Sequence, residues 1–558
     1  MGKTVNKNRI MIIGLDGATF DIIKPMVAAG RLPAFANLLA NGTHGNLKST
    51  VLPITPPAWS SFMTGKNPGK HGVFAFYTHS TENYGTQMAT GLSIKAKKIW
   101  DYLDSERIGL IDIPMTFPPQ EINGYMISGW PVPSEESIFT YPPDLHTEVI
   151  REVGSYMMDT TIISSHTRMS PIETLRRLYQ YTGSRRDAAL YLLREKGPFD
   201  FFVVVFRGTD FLHHVAFKFL DEEYCKANPD VSKKFKGVIF QFYEKMDSIV
   251  ADLIRAMGED AIAIIMSDHG AGPLKKKFYI NRWLKQEGFL SLRKGSPSRG
   301  VSVNWAPLSH LLQKAGASYL SLFIPSLFKR MRIPYLKPYT KHPSALIDWN
   351  KTKAFANLTW PDEIIRINLQ GREPAGTVSK KEYEAVRNAI IERLLEVRDP
   401  ETGEKIIDKA HRREEVYHGP YLEDAPDILV LTQNTSYVFN PALDDGVLFE
   451  RPEDPRAPHR MEGIFIIKGP GIKAGQVLSG LNITDIAPTV LYLMGKPIPE
   501  TMDGRVILEA IHEEFFRTHP PKYYKEEGNG SLKEIDQEFS EEEKRKIEEG
   551  LRALGYME

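Results

Sequence analysis

The distribution of apolar residues along the chain predicts three short buried strands. Each run is continuous and rich in β-branched or aromatic residues, without the alternation of a half-exposed strand. Such runs are typical of strands covered on both faces, as in a parallel sheet. An acidic residue follows each run within four positions. The runs and the acids that follow them are Ile10–Leu15 with Asp16, Phe201–Phe206 with Asp210, and Ala261–Met266 with Asp268.

Helical patterns separate these runs. Apolar residues recur at helical spacing over Pro171 to Lys196 and over Lys233 to Met257. Alternation of strands and helices predicts an α/β fold with a mostly parallel central sheet flanked by helices. Ligands of such sheets bind beyond the carboxyl ends of the strands. One acid after one strand is most often a helix N-cap, but three such endings favour a shared site.

The alternation of strand and helix patterns is interrupted between about residues 275 and 385. Leu308 to Ile333 is amphipathic and could contact a membrane surface or a partner, although a cap packed on the core is the favoured interpretation. Ile428–Leu431 and Gly463–Lys468 predict further strands, and Thr484–Leu493 predicts a helix. The resulting domain prediction is an alkaline-phosphatase-like core at 1–275 and 386–515, an insertion at 276–385, and a charged helical tail at 516–558.

Composition restricts the classes of function. The chain has 558 residues, of which 42% are hydrophobic and 25% charged, and its 70 Lys and Arg equal its 70 Asp and Glu. This balance gives no global field for a nucleic-acid polymer or an anionic membrane, so an anion must be bound by a local site. The single cysteine, Cys225, excludes a disulfide within the chain and a cysteine-rich zinc site.

The sequence also bears on location. The apolar run at Met11–Leu15 is too short for a signal peptide and meets Asp16 directly. No apolar stretch approaches the length needed to cross a membrane. We therefore expect no transmembrane segment and a cytoplasmic location, which also fits the low cysteine content.

Two short motifs combine carboxylates with imidazoles. In Asp268-His269-Gly270 the two side chains can face one metal if the chain turns at the glycine. A turn with a solvated histidine is the alternative. Asp210 and His214 are one helical turn apart, which suits a chelate. The alternative is a pair of helix-surface histidines, and only His214, rather than its neighbour, is expected to point inward.

Thr55 is the candidate nucleophile. It precedes two prolines at a predicted helix start, which is the pattern of an N-cap. The cap interpretation does not exclude catalysis, because free N–H groups at a helix N-terminus attract phosphate. A threonine hydroxyl is a weak nucleophile at neutral pH, and coordination to a metal is one way to activate it.

Taken in order, these motifs resemble the type I phosphodiesterase/nucleotide pyrophosphatase family of the alkaline phosphatase superfamily. The resemblance extends from about residue 8 to 275 and from about 350 to 505, and the ordered combination is far more specific than any single motif. The matching segments are Leu15–Gly17, Thr55–Gly65, Gly69–Gly72, Asp210 with His214, Ser267–Gly270 and His459–Gly463.

The resemblance implies an activity and a set of ligands. It implies two divalent metals, zinc first with manganese or iron as alternatives, in a phosphodiesterase that forms a covalent phospho-threonine on Thr55. Water at the second metal would then release the phosphoryl group. The metal nearer the nucleophile would be held by Asp16, Thr55, Asp268 and His269, and the other by Asp210, His214 and His459.

One position departs from the family pattern. Many nucleotide pyrophosphatases carry an asparagine shortly after the His-Gly motif, where it contacts a phosphate oxygen. Here Phe76 stands at or near that position. The oxygen then needs another donor, for which the Thr55 backbone N–H and Arg207 are candidates. Aromatic side chains nearby could stack on a base, although core packing is the favoured role.

Several alternatives stay open. A phosphomonoesterase, a phosphotransferase or a mutase would use the same superfamily site, whereas a sulfatase would need a cysteine or serine nucleophile. A metal-binding protein without turnover is the non-enzymatic alternative, disfavoured because all seven ligand positions are filled. The expected partner is a small phosphoester, with nucleotides among the candidates. The sequence specifies neither the substrate nor the oligomeric state.

Overall fold

The hydrophobic runs that the sequence singled out form the centre of a large sheet. In the computed structural model, which describes residues 8–159, 171–293, 343–358, 363–452, 455–526 and 540–554, all three runs are strands with every residue buried. The amphipathic segment predicted at Leu308–Ile333 lies outside these described residues. No helix within them is long and apolar enough to cross a membrane.

The described strands are mostly short. The longest, with six or seven residues each, belong mainly to the central sheet. They are β1 Ile10–Leu15, β2 Thr43–Lys48, β3 Tyr77–His79, β4 Thr86–Met88, β5 Ile108–Ile113, β6 Gly124–Ser128, β7 Thr140–Tyr141, β8 Phe201–Phe206, β9 Ile262–Met266, β10 Gly270–Ala271, β11 Lys276–Tyr279, β12 Ala354–Ala356, β13 Ile364–Ile367, β14 Ile407–Arg412, β15 Ile428–Thr432, β16 Tyr437–Asn440, β17 Phe449–Glu450, β18 His459–Arg460, β19 Glu462–Lys468, β20 Gln476–Asn482, β21 Ile498–Pro499 and β22 Tyr523–Tyr524.

The helices include both long ones predicted from apolar spacing. The first continues as a π-helix over Leu192–Lys196, and the second begins at Pro229, a residue well suited to a first helical position. The α-helices are α1 Phe20–Ala28, α2 Pro33–Asn41, α3 Thr55–Thr64, α4 Pro68–His71, α5 Leu145–Val153, α6 Pro171–Tyr191, α7 Gly208–Ala216, α8 Glu222–Ala227, α9 Pro229–Met257, α10 Ile280–Gln286, α11 Tyr383–Leu394, α12 Arg413–Val416, α13 Ile486–Leu493, α14 Glu513–Thr518 and α15 Glu541–Leu554.

The central sheet has nine strands in the order β20-β2-β19-β9-β1-β8-β5-β6-β7. Neighbouring strands pair in parallel except around β19, which is antiparallel to both β2 and β9, and at the edge strand β7. Helices α6 and α9 pack against β5, β8 and β1. The predicted α/β fold with a mostly parallel central sheet flanked by helices is therefore confirmed.

A second, smaller sheet has the order β12-β13-β15-β14, and all its pairings are antiparallel. The predicted strand at Ile428–Leu431 is present as β15, but it belongs to this sheet rather than to the central one. A separate hydrophobic cluster covers it and extends from Phe278 to Leu443, with Tyr84 added from the core. We therefore propose that the inserted unit runs from β11 to β17, beyond the predicted limit at residue 385.

The charged tail ends in helix α15. Of the seven side chains described in it, three are exposed and three half-buried, whereas Ile547 is buried in the main hydrophobic cluster. The helix is therefore attached to the core through at least one apolar contact.

Candidate metal centre

Three carboxylates converge at one edge of the central sheet. Strands β9, β1 and β8 are neighbours and run in parallel, so their carboxyl ends lie side by side. Asp16 follows β1 directly, Asp268 comes two residues after β9, and Asp210 lies in the first turn of α7 after β8. All three are at most 1% exposed. Buried acids this close together require a compensating positive charge.

Gly17 allows this close approach. Its φ of +69° is a left-handed conformation that glycine adopts without strain. A Cβ at this position would lie 3.3 Å from the Cα and the carboxylate of Asp210. The Gly17 N–H donates to Oδ1 of Asp268 at 3.2 Å. The turn after β1 thus contacts Asp210 and Asp268 and keeps both acids close to Asp16.

Asp16, Asp268 and His269 form the first group of candidate ligands. Nε2 of His269 lies 3.4 Å from Oδ1 of Asp16 and 3.4 Å from Oδ2 of Asp268. Nδ1 of His269 lies 2.9 Å from the carbonyl oxygen of Gly270. A hydrogen bond from Nδ1–H to that carbonyl leaves the Nε2 lone pair facing the two carboxylates, which is the arrangement of a metal-binding imidazole.

Thr55 and the three residues of the first group each have a buried polar atom without a hydrogen-bond partner among the described residues. Native structures rarely leave buried acceptors unsatisfied, and the exceptions often mark a bound ion. Three of them belong to the first group and are the atoms that face one another. The four atoms are Oδ1 of Asp16, Oγ1 of Thr55, Oδ2 of Asp268 and Nε2 of His269.

Thr55 begins helix α3 and is fully buried. Its hydroxyl makes no capping bond, and the residue at the N-cap position is Ile54. The expectation that the side chain caps the helix is therefore wrong, because the helix starts one residue earlier than the proline pattern suggested. Trp59, one turn further on, donates its indole N–H to Oδ2 of Asp16 at 3.2 Å. That bond ties the first turns of α3 to the carboxylates.

The second group centres on Asp210. Nε2 of His214 lies 3.2 Å from its Oδ1, and Nε2 of His459 lies 3.4 Å from the same oxygen. The two imidazole nitrogens are 3.3 Å apart. His213 instead packs against Tyr243, with its Nε2 at 2.9 Å from the phenol oxygen. The structure thus brings His214, and not its neighbour, to the acid.

His459 reaches the site from the far end of the chain. It lies on β18, which pairs with β10 directly after His269. Its Nδ1 lies 2.9 Å from the carbonyl oxygen of Pro53, two residues before Thr55, and its ring stacks on His269 at 3.6 Å. The two groups are therefore contiguous, and His269 lies close enough to serve either one. We call the seven residues the polar cage: Asp16, Thr55, Asp210, His214, Asp268, His269 and His459.

The charges in the cage act strongly on one another. Burial, together with the negative charge of Asp210, raises the pKa of Asp16 to about 7. Burial and both neighbouring carboxylates raise the pKa of Asp268 well above its ordinary value. Burial lowers the pKa of His269 well below its usual range, with the charge of His459 adding to the effect. Metal binding needs deprotonated ligands, so the lowered pKa of His269 favours it, and a bound cation would offset the repulsion that raises the pKa values of Asp16 and Asp268.

Arg207 is not available as a donor to a phosphate oxygen, which is the role that the sequence suggested for it. Its guanidinium is fully buried and forms an ion pair with Asp159, and its Nε lies 3.7 Å from Oδ2 of Asp16. Asp159 also accepts a hydrogen bond from Tyr181 at 2.5 Å and lies 3.4 Å from Arg185. We call this group the buried ion cluster: Asp112, Asp159, Tyr181, Arg185 and Arg207.

Sequence reasoning missed most of this cluster and the role of Trp59. A signal existed for part of it, because Tyr181 and Arg185 are four residues apart on a predicted helix and so share a face.

Phe76, at the position where the family asparagine was expected, is fully buried and packs edge-on against Trp130 at 5.3 Å. These two rings belong to the core rather than to a binding surface.

Comparison with known proteins adds a family. The family model described as type I phosphodiesterase/nucleotide pyrophosphatase matches residues 10–464. That range contains every residue of the polar cage. Short stretches also match two curated sulfatases: 46% identity over 48 residues with the extracellular sulfatase SULF-1 homolog of Drosophila melanogaster, and 37% over 59 residues with arylsulfatase K of Canis lupus familiaris.

These two alignments cover 8% and 10% of this chain and only 4% and 11% of the length of the curated relatives. Solved structures match over much more of the chain. Murine ectonucleotide pyrophosphatase/phosphodiesterase 5 matches with a TM-score of 0.48 at 11% identity, over 90% of this chain and 100% of that one. Phosphonoacetate hydrolase from Sinorhizobium meliloti 1021, in complex with phosphonoformate, gives 0.48 at 14% identity, over 88% and 98%.

Proposed function

We propose that this chain, which belongs to the type I phosphodiesterase/nucleotide pyrophosphatase family, cleaves phosphodiesters with Thr55 as nucleophile and two divalent cations in the polar cage. Membership of the family makes it a phosphoester hydrolase. The nucleophile, the number of metals and the preference for diesters are the parts that we propose. Zinc is the first candidate metal, because mixed carboxylate and imidazole ligands suit it, and manganese or iron are the alternatives.

The observation that carries the proposal is the set of four buried atoms without hydrogen-bond partners. They come from Asp16, Thr55, Asp268 and His269, the four residues that the family resemblance assigns to one metal. A neutral hydroxyl beside unpaired carboxylates and an imidazole lone pair is costly in a dry interior. A cation bound among them would satisfy all four atoms at once.

The second cation would be held by Asp210, His214 and His459. Their nearest ligand atoms lie 3.2–3.4 Å apart, so a cation among them could replace the hydrogen bonds that join the three side chains in its absence. His459 also contacts the carbonyl of Pro53. That contact supports a position beside the nucleophile, where a second ligand group could act on the same phosphate.

In the proposed reaction the chain's own residues position the substrate. At the start of α3 the backbone N–H of Thr55 would be offered to a phosphate oxygen, since Pro56 and Pro57 have no N–H and those of Ile54 and Ala58 already donate to backbone carbonyls. Oγ1 of Thr55 forms a bond to phosphorus as the bond to the leaving oxygen breaks, and water later cleaves the phospho-threonine, which restores the hydroxyl. When bound, the cations would lower the pKa of the Thr55 hydroxyl and offset the charge that develops on the phosphoryl group.

The hydrogen bonds around the cage support the roles that we propose for its residues. Trp59 fixes one oxygen of Asp16, and the backbone of Gly17 fixes one oxygen of Asp268. In each carboxylate the other oxygen is left to face His269. The carboxylates are therefore oriented before a ligand arrives, which lowers the cost of assembling the site.

The test uses purified protein, stripped of metal and reloaded with zinc or manganese. Bis(p-nitrophenyl) phosphate and p-nitrophenyl phosphate serve as the diester and the monoester. We expect metal-dependent cleavage of the diester, lost in Thr55→Ala and kept within about tenfold in Thr55→Ser, which retains a hydroxyl. A set of nucleotide diesters would then show whether nucleotides are substrates.

Each other outcome has a defined meaning. Preference for the monoester would replace the diester assignment with a phosphomonoesterase or a phosphotransferase on the same site. Full activity of Thr55→Ala would exclude Thr55 as the nucleophile. Bound metal without turnover on any phosphoester would favour the alternative of a binding protein.

A further inference from the structure

A cleft lies between the core and the inserted unit, apart from the cage. It encloses about 580 Å³, counting the part open to solvent at its mouth. One wall comes from the segment after the His-Gly motif, including Phe74, Tyr77 and Thr78, and the other comes from strands β12 and β13, including Phe355 and Arg366. The walls thus combine aromatic and polar side chains, with one arginine and one acid, Asp424, among them.

Arg366 is 9% exposed and faces this cleft from β13. Its flanking residues Ile365 and Ile367 point into the second hydrophobic cluster, so strand alternation turns Arg366 toward the core side. Its Nη2 donates to the backbone carbonyl of Asp424 at 3.0 Å. Among the described residues, no carboxylate forms an ion pair with this guanidinium.

Two buried acids near Arg366 are engaged elsewhere, whereas Asp424, which also lines the cleft, is an exposed residue. Asp427 is held by Arg372 at 2.7 Å and by the hydroxyl of Tyr383 at 2.5 Å. Glu373 pairs with His79, with 2.8 Å between oxygen and nitrogen. Burial lowers the pKa of Arg366 to about 10, which leaves it charged at neutral pH. A buried guanidinium without a carboxylate partner is costly unless an anion binds to it.

The cleft adjoins the metal centre. Phe74 packs in one small cluster with Leu52 and Ile364, and Ile54, the residue before Thr55, packs against the same cluster. Glu363, next to Ile364, is close enough for its carboxylate to interact with the charge of His459. One small hydrophobic cluster therefore contacts both the wall of the cleft and the residue before Thr55.

We propose that the cleft is a subsite for an anionic group, carried on an aromatic or apolar stem at the non-reacting end of the substrate. This inference rests on the proposed function and names the class of substrate. Arg366 pairs with a carboxylate or a phosphate oxygen, and Phe74, Tyr77 and Phe355 pack on the stem. Arginine suits this role because its planar fork binds two oxygens at once.

The first test measures binding without turnover. Benzoate and its uncharged analogue benzamide are titrated calorimetrically into the full-length protein and into Arg366→Gln. We expect benzoate to bind at least tenfold more tightly than benzamide, and the preference to disappear in Arg366→Gln while Arg366→Lys keeps part of it. Benzoate bound only at the cage would bind Arg366→Gln unchanged, and that result would overturn the proposal.

A second variant guards against misfolding of Arg366→Gln. Thr78 lines the cleft but is exposed, so Thr78→Asp adds a negative charge without disturbing the core. We expect this variant to weaken benzoate binding at least fivefold, whereas Thr78→Ser binds as the wild type does. Equal binding by Thr78→Asp and Thr78→Ser would contradict an anion site in this cleft.

Kinetics separates a substrate subsite from a site for a free anion. Two diesters are compared, p-nitrophenyl 4-carboxyphenyl phosphate and p-nitrophenyl 4-carbamoylphenyl phosphate. We expect a KM at least fivefold lower for the carboxylate ester in the wild type, and equal KM values in Arg366→Gln with kcat nearly unchanged. Equal KM values in the wild type would overturn the substrate role. If neither ester is cleaved, the proposed function fails, and the subsite is then decided by benzoate alone.

Discussion

The polar cage and the buried ion cluster are neighbours in the same interior, and both consist of charged groups excluded from water. In the ion cluster two carboxylates meet two guanidinium groups, and a phenol hydroxyl bridges the carboxylates. In the cage three carboxylates meet three imidazoles, one of which is held in its neutral form. In the ion cluster each charged group lies beside a group of opposite charge, whereas in the cage acceptor atoms face one another.

This difference indicates what each group is for. A buried network in which opposite charges pair can be purely structural, because each member removes the desolvation penalty of another. A buried group with unpaired acceptors facing one another is incomplete without a cation. Arg207 lies where the two meet, since it pairs with Asp159 and also approaches Asp16. The ion cluster thus contacts the cage through Arg207.

The largest effect should come from neutralising a cage carboxylate. We expect Asp268→Asn to lower kcat/KM for the diester by about 10³-fold, because it removes a ligand of the proposed metal. The metal-free form should be as stable as the wild type or more so, since the substitution removes the repulsion between Asp268 and the carboxylates of Asp16 and Asp210. Steady-state assays and thermal unfolding would measure the two effects. A large loss of stability without metal would show that Asp268 is paired structurally.

The opposite result is expected in the ion cluster. Asp159→Asn leaves Arg207 buried with fewer partners, and breaking a buried pair in this way costs about 3–5 kcal/mol. Chemical denaturation of the metal-free protein would measure this change. Glu509→Gln, which breaks the exposed pair with Arg505, is the matched control and should cost under about 1 kcal/mol. Equal effects of the two variants would remove the distinction between buried and exposed pairs.

Addition of metal should stabilise the cage and leave the ion cluster unaffected. At zinc concentrations about 100 times the dissociation constant, binding to the native state adds about 2.7 kcal/mol to the free energy of unfolding. Thermal unfolding with and without zinc would detect it in the wild type and in Asp159→Asn, and to a much smaller extent in Asp268→Asn. The same gain in all three proteins would place the zinc elsewhere.

The smallest effect should come from Tyr181. Tyr181→Phe removes the hydroxyl that donates to Asp112 and Asp159, and a hydrogen bond to a charged group is worth about 1.5–3 kcal/mol. We expect a loss of stability near the lower figure, with kcat on the diester unchanged within twofold. Denaturation and steady-state kinetics would measure both. A large drop in kcat at unchanged stability would assign the hydroxyl to catalysis.

Much of the fold followed from local pattern. The three central strands are continuous apolar runs, a pattern that favours strands buried on both faces of a parallel sheet. The two long helices followed from apolar spacing in the same way. His459 is different, because a lone histidine in a proline-rich loop has no local signature, and only the resemblance to a family pointed to it.

The rest could not be read from the sequence, because it depends on contacts between distant segments. The strand at Ile428–Thr432 is as apolar as the central strands, so its sequence does not say which sheet it joins. Arg366 and Arg207 are both arginines in apolar surroundings. Arg207 pairs with Asp159, whereas Arg366 faces a cleft. Whether a buried arginine is paired depends on which distant segments meet around it in the folded protein. The assignment of the seven cage residues to two metals remains a prediction.

The antiparallel strand β19 also has a consequence for the order in which the molecule folds. It inserts between β2 and β9, and the bridge from His459 to Pro53 spans 406 residues of chain. Contacts of such sequence separation form late, since the entropy of closing a long loop is lost before they contribute. During synthesis from the N-terminus, the centre stays open on one side until nearly all of the described chain has emerged. Assembly of the polar cage is therefore a late step of folding, which requires β19 to pair with both β2 and β9.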